Sequence, residues 1–202
     1  MTEIPNKHLM IDIETLDTKP GAAVTSIGAV WFDPEDNGWR PKHRGLYVEI
    51  LLEDAMEYGT VSPSTLQFWL KQDEQARHFL TNDVGKVTLH HALQSLDAFI
   101  GHQSKHEARR DVYVWGNCNK FDLGNLEAMY DAVGLAYPWN YARGLNVRNT
   151  VWMATTLFGC EKPAMKPGRT APNALDDAIH QAEYVTQMVR TIRGVVPDDV
   201  AN

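Results

Sequence analysis

Several things are scarce in this chain of 202 residues. It has two cysteines, Cys118 and Cys160, and their spacing matches neither a zinc site nor a disulfide framework. A stapled secreted fold is excluded on that ground, and reduced thiols in a cytoplasmic protein are expected. No apolar run approaches the roughly 20 residues that a helix needs to cross a membrane. The opening Met1-Thr2-Glu3-Ile4-Pro5 has no basic region followed by an apolar stretch, so no signal peptide is expected. Internal repeats and low-complexity tracts are missing too. Positive charge is short: 19 Lys and Arg against 26 Asp and Glu give a net charge of −7. That balance argues against holding a polyanion by bulk attraction.

What is present is ordinary in amount and uneven in placement. Hydrophobic residues are 44% and charged residues 22%, enough for one domain over residues 1–202 with a full core. Between Asn140 and Thr170 the charged residues are Arg143, Arg148, Lys162, Lys166 and Arg169 against Glu161 alone. This stretch is either a solvated loop or a local basic surface for nucleic acid.

Hydrophobic periodicity predicts strands over His8 to Glu14, Thr25 to Phe32 and Leu46 to Leu51, with a turn over Asp33 to Gly38. Three strands joined by short turns predict an antiparallel meander. Helices are predicted from Ser62-Pro63-Ser64 through Leu70, over Asp73 to Leu80, and over Leu89 to Ile100. A short buried strand over Asp111 to Trp115 comes next, then a helix over Phe121 to Val133 closed by Gly134. The pattern ends with a helix over Asn149 to Phe158, a loop over Cys160 to Pro172, and a long helix over Asn173 to Arg193. The order is that of an α/β protein of the ribonuclease-H-like kind, a mixed sheet with the meander flanked by helices.

Asp12 and Glu14 close the apolar run Leu9-Met10-Ile11. Residues i and i+2 of a strand project to the same side, so both carboxylates face one site. Two such charges repel, and burial makes the repulsion worse unless a divalent cation bridges them. Asp122 follows a strand end, in Trp115-Gly116-Asn117-Cys118-Asn119-Lys120-Phe121-Asp122, and Asp177 lies in Asn173-Ala174-Leu175-Asp176-Asp177-Ala178. Taken singly, either is also readable as an acid favouring a helix N-terminus. Asp176 lies on a different helical face and reads as the solvated member of its pair.

The order and context of the four acids resemble the DEDD superfamily of 3′-5′ exonucleases. Phage and bacterial exonucleases of the exonuclease-eight type and the related short exoribonucleases are the nearest in pattern. Val24-Thr25-Ser26-Ile27-Gly28-Ala29-Val30, Phe68-Trp69-Leu70, Val114-Trp115-Gly116-Asn117, Asn146-Val147-Arg148 and Ala174 to Ala182 look like that group's segments. The resemblance implies that Asp12, Glu14, Asp122 and Asp177 are both catalytic residues and metal ligands. Asp12 would bridge two Mg2+ or Mn2+ ions about 4 Å apart. Glu14 and Asp177 would complete one ion's site, and Asp122 would act on the other through water. It implies substrate contacts for Thr15 and Leu16, a hydrogen bond from Asn117, base stacking or core packing for Trp69, and a phosphate contact or ion pair for Arg148. The implied partner is the 3′ end of DNA or RNA, with no membrane. The six tryptophans leave a homodimer open.

One position departs from the family pattern. The histidine branch carries a general base five residues before the last Asp, where this chain has Pro172; the tyrosine branch carries Tyr four before, where it has Asn173. Neither residue takes a proton at neutral pH. His180, three residues after Asp177, shares its helical face; it is a candidate to replace the missing base, and a structural or supporting role beside the site is the favoured reading. Lys166 and Arg169 are further candidates to position substrate. Losing a general base typically slows a reaction by about 10²–10⁴-fold without removing metals. The sequence therefore supports a 3′-5′ exonuclease of reduced activity. A weakened relative that binds nucleic-acid ends or a partner is the first alternative, and a ribonuclease-H-like endonuclease the second.

Overall fold

Alternation along β1 (His8–Thr15) organises everything around it. Leu9, Ile11 and Ile13 face one side of the sheet and join the larger core. Met10 faces the other and joins a second, smaller core. Asp12 and Glu14 share the Met10 face by the same two-residue period. The computed structural model describes residues 8–35, 45–72, 74–77, 80–103, 112–162, 164 and 172–195. In it β1 is the centre of a five-stranded sheet. Strand β2 (Val24–Phe32) pairs antiparallel with β1, and β3 (Gly45–Glu49) pairs antiparallel with β2, completing the expected meander. On the other side β4 (Tyr113–Gly116) and then β5 (Gly144–Asn146) run parallel to β1.

Three short helices, α1 (Leu52–Tyr58), α2 (Pro63–Leu70) and α3 (Glu74–Arg77), follow the meander. Helices α4 (Leu89–Gln103) and α5 (Asn119–Ala132) cover the Leu9–Ile11–Ile13 face through Leu89, Leu93, Leu96, Ile100, Leu126, Met129 and Tyr130. Helices α6 (Val147–Phe158) and α7 (Ala174–Val195) close the other face, where Val147, Ala154, Ala178, Ala182, Val185 and Met188 pack with Met10, Val30 and Phe32. Among the described residues no helix is long and apolar enough to cross a membrane.

Helix starts follow side-chain caps. Ser62 accepts from the Thr65 amide to open α2, and Asn146 accepts from the Arg148 amide, so α6 begins two residues before its expected start. Asn173 Oδ1 accepts from the Leu175 and Asp176 amides at 3.1 and 3.0 Å and stands just before α7. Helix α1 was not foreseen: its first residue follows Leu51, which offers no side-chain cap. Strand β5 was not foreseen either, being three residues long. The expected turn over Asp33 to Gly38 is described only as far as Glu35, whose amide donates to Asp33 Oδ1; its remainder, the first residues of the Asp73 and Asp111 elements, and most of the loop after Cys160, Lys166 and Arg169 included, lie outside the described residues.

Gly28 decides where α7 sits. It pairs with Asp12 across β1 and β2. A Cβ there would stand 2.1 Å from the carbonyl carbon of Ala174 and 2.2 Å from the Leu175 nitrogen. The start of α7 thus rests directly on the β2 backbone, one strand away from Asp12.

Candidate active site

Three chain segments bring four acids together where β1 ends. Asp12 and Glu14 come from the strand itself. A register slip follows between Glu14 and Thr15, where β2 has one extra residue, Thr25, so that Thr15 pairs with Val24. Asp177 comes from the first turn of α7, brought near by the bare Gly28 backbone. Oxygens of Asp12, Glu14 and Asp177 all lie within 4.8 Å of one another. Asp122 comes from the first turn of α5 and stands outside that triad. Its Oδ2 accepts from the Cys118 amide at 2.8 Å, and the side chain packs against Gly116, where a Cβ would be 2.9 Å from Oδ2.

Burial governs the electrostatics. Asp12 is 8% exposed and Asp122 4%. Burial first, then the charges of Asp122 and Glu14, raise the Asp12 carboxyl well above its ordinary range. Burial and the charges of Asp177 and Asp122 push Glu14 up to about 8. Burial raises Asp122 to about 6, against the opposing pull of the Cys118 amide and of Arg148. Asp177 is raised as well, by burial. Carboxylates so placed do not all ionise together unless positive charge enters. The donor set of the triad is all carboxylate oxygen, without thiolate or imidazole, and suits a hard divalent cation.

The remaining expected residues fall into two groups. Asn117 and Arg148 lie together at the β4–α5 turn and the start of α6, with the Arg148 amide donating to the Asn117 carbonyl at 3.3 Å. Arg148 is exposed, and its charge reaches Asp122. Thr15 is half-buried beside Glu14, its hydroxyl donating to the Asp17 carbonyl. Leu16 and Trp69 are placed in the core, at 0% and 2% exposure. The Trp69 indole donates to the Thr15 carbonyl at 3.0 Å, so the ring pins the end of β1 and offers no open face to a base. Core packing is thus the reading of Trp69 that its placement matches. Its neighbour Phe68 is the exposed aromatic there, at 50%.

His180 is half-buried with its ring edge-on to Tyr184, centroids 5.0 Å apart. Pro172 precedes the cap of α7, and the Asn173 side chain is committed to that cap. Of the basic stretch, Arg143 lies over the Tyr113 ring at 4.5 Å and Lys162 over the Tyr184 ring at 4.9 Å. One residue in the site escaped sequence reasoning. Gln181, one turn after Asp177, donates through Nε2 to Asp12 Oδ1 at 2.8 Å. A polar residue inside the small-residue stripe Ala174, Ala178 and Ala182 was the available signal.

Three solved structures share the fold at low identity. The nuclease domain of 3′hExo, a DEDDh family member bound to rAMP, matches with a TM-score of 0.59 at 12% identity over 91% of each chain. Cell-death related nuclease 4 matches at 0.63 and 12%, over 92% of this chain and 64% of that one. Pop2p of S. pombe, in a form bound to Mg2+ and Mn2+, matches at 0.55 and 10%, over 96% and 87%. No curated protein sequence matches the chain. The model of the Rv2179c-like 3′-5′ exoribonuclease domain matches residues 7–189, a span that takes in all four acids, and the chain therefore belongs to that family of 3′-5′ exonucleases.

Proposed function

We propose that the chain hydrolyses nucleic acid from its 3′ end, one nucleotide at a time, as a single exonuclease domain over residues 1–202. Single-stranded or 3′-terminal RNA is the favoured substrate, in line with the exoribonuclease description of its family. The observation that carries the proposal is the convergence of Asp12, buried, with half-buried Glu14 and Asp177 within 4.8 Å, where burial and the neighbouring acids raise the Asp12 and Glu14 carboxyls. These three, with Asp122, would hold two Mg2+ or Mn2+ ions. Such ions supply Lewis acidity toward the phosphoryl oxygens and the leaving 3′ oxygen, and lower the pKa of the attacking water. The Mg2+- and Mn2+-bound form of the related fold in Pop2p supports that choice.

The chain's own residues set the geometry. Glu14 and Asp177 fix the two sides of the acidic triad, and the Cys118 amide holds Asp122 toward it. Arg148 and Asn117, at the rim beside Asp122, would meet phosphate and sugar. With Pro172 where related enzymes carry a proton acceptor, no side chain at that position takes the water's proton, and the rate is lowered by about 10²–10⁴-fold relative to a full complement.

Pro172 also favours a second reading, in which the chain binds 3′ ends or a partner and cleaves little. Time-resolved digestion of 5′-labelled RNA and DNA oligomers with Mg2+, Mn2+ or chelator, beside Asp12→Ala, separates the two. A ladder shortening from the 3′ end, lost in chelator and in the variant, is expected. Binding of the oligomers without shortening in either metal would establish the second reading.

A further inference from the structure

Helix α7 lays Ala174, Ala178, Ala182 and Val185 on the sheet, all fully buried. Gln181 interrupts this run at 6% exposure. Its amide is divided. Nε2 donates to Asp12 Oδ1 at 2.8 Å, while Oε1 is enclosed with no hydrogen-bond partner among the described residues. Methionine has a similar length and would fill this space without desolvating an amide, so packing does not account for the residue. A lysine would reach Asp12 as well but would cancel the charge that a cation needs. A neutral amide orients the carboxylate and leaves its charge in place.

We propose that Gln181 is a positioning residue for the cation site. By donating to Oδ1 it fixes the direction of the Asp12 carboxylate and keeps that oxygen's partner constant, leaving the other lone pairs for the cation. The proposal rests on the metal-dependent reading above. Outer partners of metal ligands commonly matter by about 10–100-fold in affinity or activity.

The test is calorimetric titration of Mn2+ into the metal-free chain, together with its melting temperature and with kcat and KM on a labelled RNA oligomer. The variants are Gln181→Met, which removes the donor, Gln181→Asn, which keeps an amide one methylene too short, and Met188→Ala, which disturbs buried packing farther along α7. Gln181→Met and Gln181→Asn should bind Mn2+ about tenfold or more weakly and lose kcat with little change in KM. The metal-free Gln181→Met protein should melt at or above the parent temperature. Met188→Ala should melt lower and bind Mn2+ like the parent. Parent-like affinity in both Gln181 variants, or equal weakening in Met188→Ala, overturns the proposal, and if Gln181→Met does not fold, Gln181→Asn decides. A parent chain that takes up no Mn2+ would instead overturn the metal-dependent reading itself.

Discussion

The two ends of one face of β1 treat polar side chains in opposite ways. At the start, His8 is satisfied by its neighbours: the Trp115 indole donates to its Nδ1 at 2.9 Å, and Tyr113 stacks on it with centroids 5.0 Å apart. Burial lowers its pKa, which keeps the ring neutral and able to accept. At the other end, Asp12 and Glu14 face the acids Asp177 and Asp122, whose charges raise both carboxyls. Both ends are half or fully buried, so solvent does not explain the difference. A buried polar group kept for architecture finds its complement inside the chain, whereas Asp12 and Glu14, among the described residues, meet chiefly burial and further acids, with one donor, Gln181, on Asp12. On the metal-dependent reading proposed above, the acidic end is a store of unfavourable energy that a cation would release, and the histidine end is finished as folded.

The largest expected effect breaks the comparison at its acidic end. Asp12→Asn should cut exonuclease turnover by about 10³-fold or more, since metal polarisation contributes several kcal/mol and each 1.4 kcal/mol is about tenfold. The same variant, free of metal, should melt above the parent protein, because one of the repelling charges is gone. Steady-state rates and thermal melting in chelator check the two halves; a metal-free Asp12→Asn protein that melts lower would contradict the account of the site.

Next in size is the pH dependence of the metal-free protein. Glu14 is raised from 4.5 to about 8 and Asp122 from 3.8 to about 6 in the folded state. Below their unfolded values both are protonated in either state and cost nothing. As pH rises the unfolded chain releases these protons first, so stability is lost progressively between about pH 4 and pH 8. Melting in chelator should fall across that window, and the gain from added Mg2+ or Mn2+ should be greatest near pH 8. A flat profile would remove the contrast between the two ends.

The smallest effect probes the histidine end. His8→Ala removes the stack and leaves the Trp115 indole, 7% exposed as a residue, without its acceptor. A loss of about 1–3 kcal/mol is expected in denaturant melts. Activity per folded molecule should stay at the parent value, and a fall in turnover would show that the two ends are coupled.

Much of this site was legible because its parts obey local rules. The two-residue period put Asp12 and Glu14 on one face, and the strand-to-helix turn after Trp115 put Asp122 at the end of the sheet. The meander and the long last helix followed from hydrophobic period and caps. What was not legible depends on contacts between distant segments. Nothing local says that Gly28 admits the start of α7 to the sheet, or that Gln181 reaches Asp12. Trp69 is readable as core or platform until its indole N–H is seen donating to the Thr15 carbonyl. Strand β5 is too short to carry a period, and α1 starts without a side-chain cap.

The seat of α7 on Gly28 has a consequence for how the molecule comes into being. Asp12 and Gln181 are 169 positions apart, and synthesis delivers the N-terminal strand long before the final helix. Closing so long a loop is an entropically late event. Until it closes, the emerging chain carries two acids of the triad without the third, and the place where a cation would be held does not yet exist. Order of assembly thereby leaves the meeting of Asp177 with Asp12 and Glu14 to the last stage of folding.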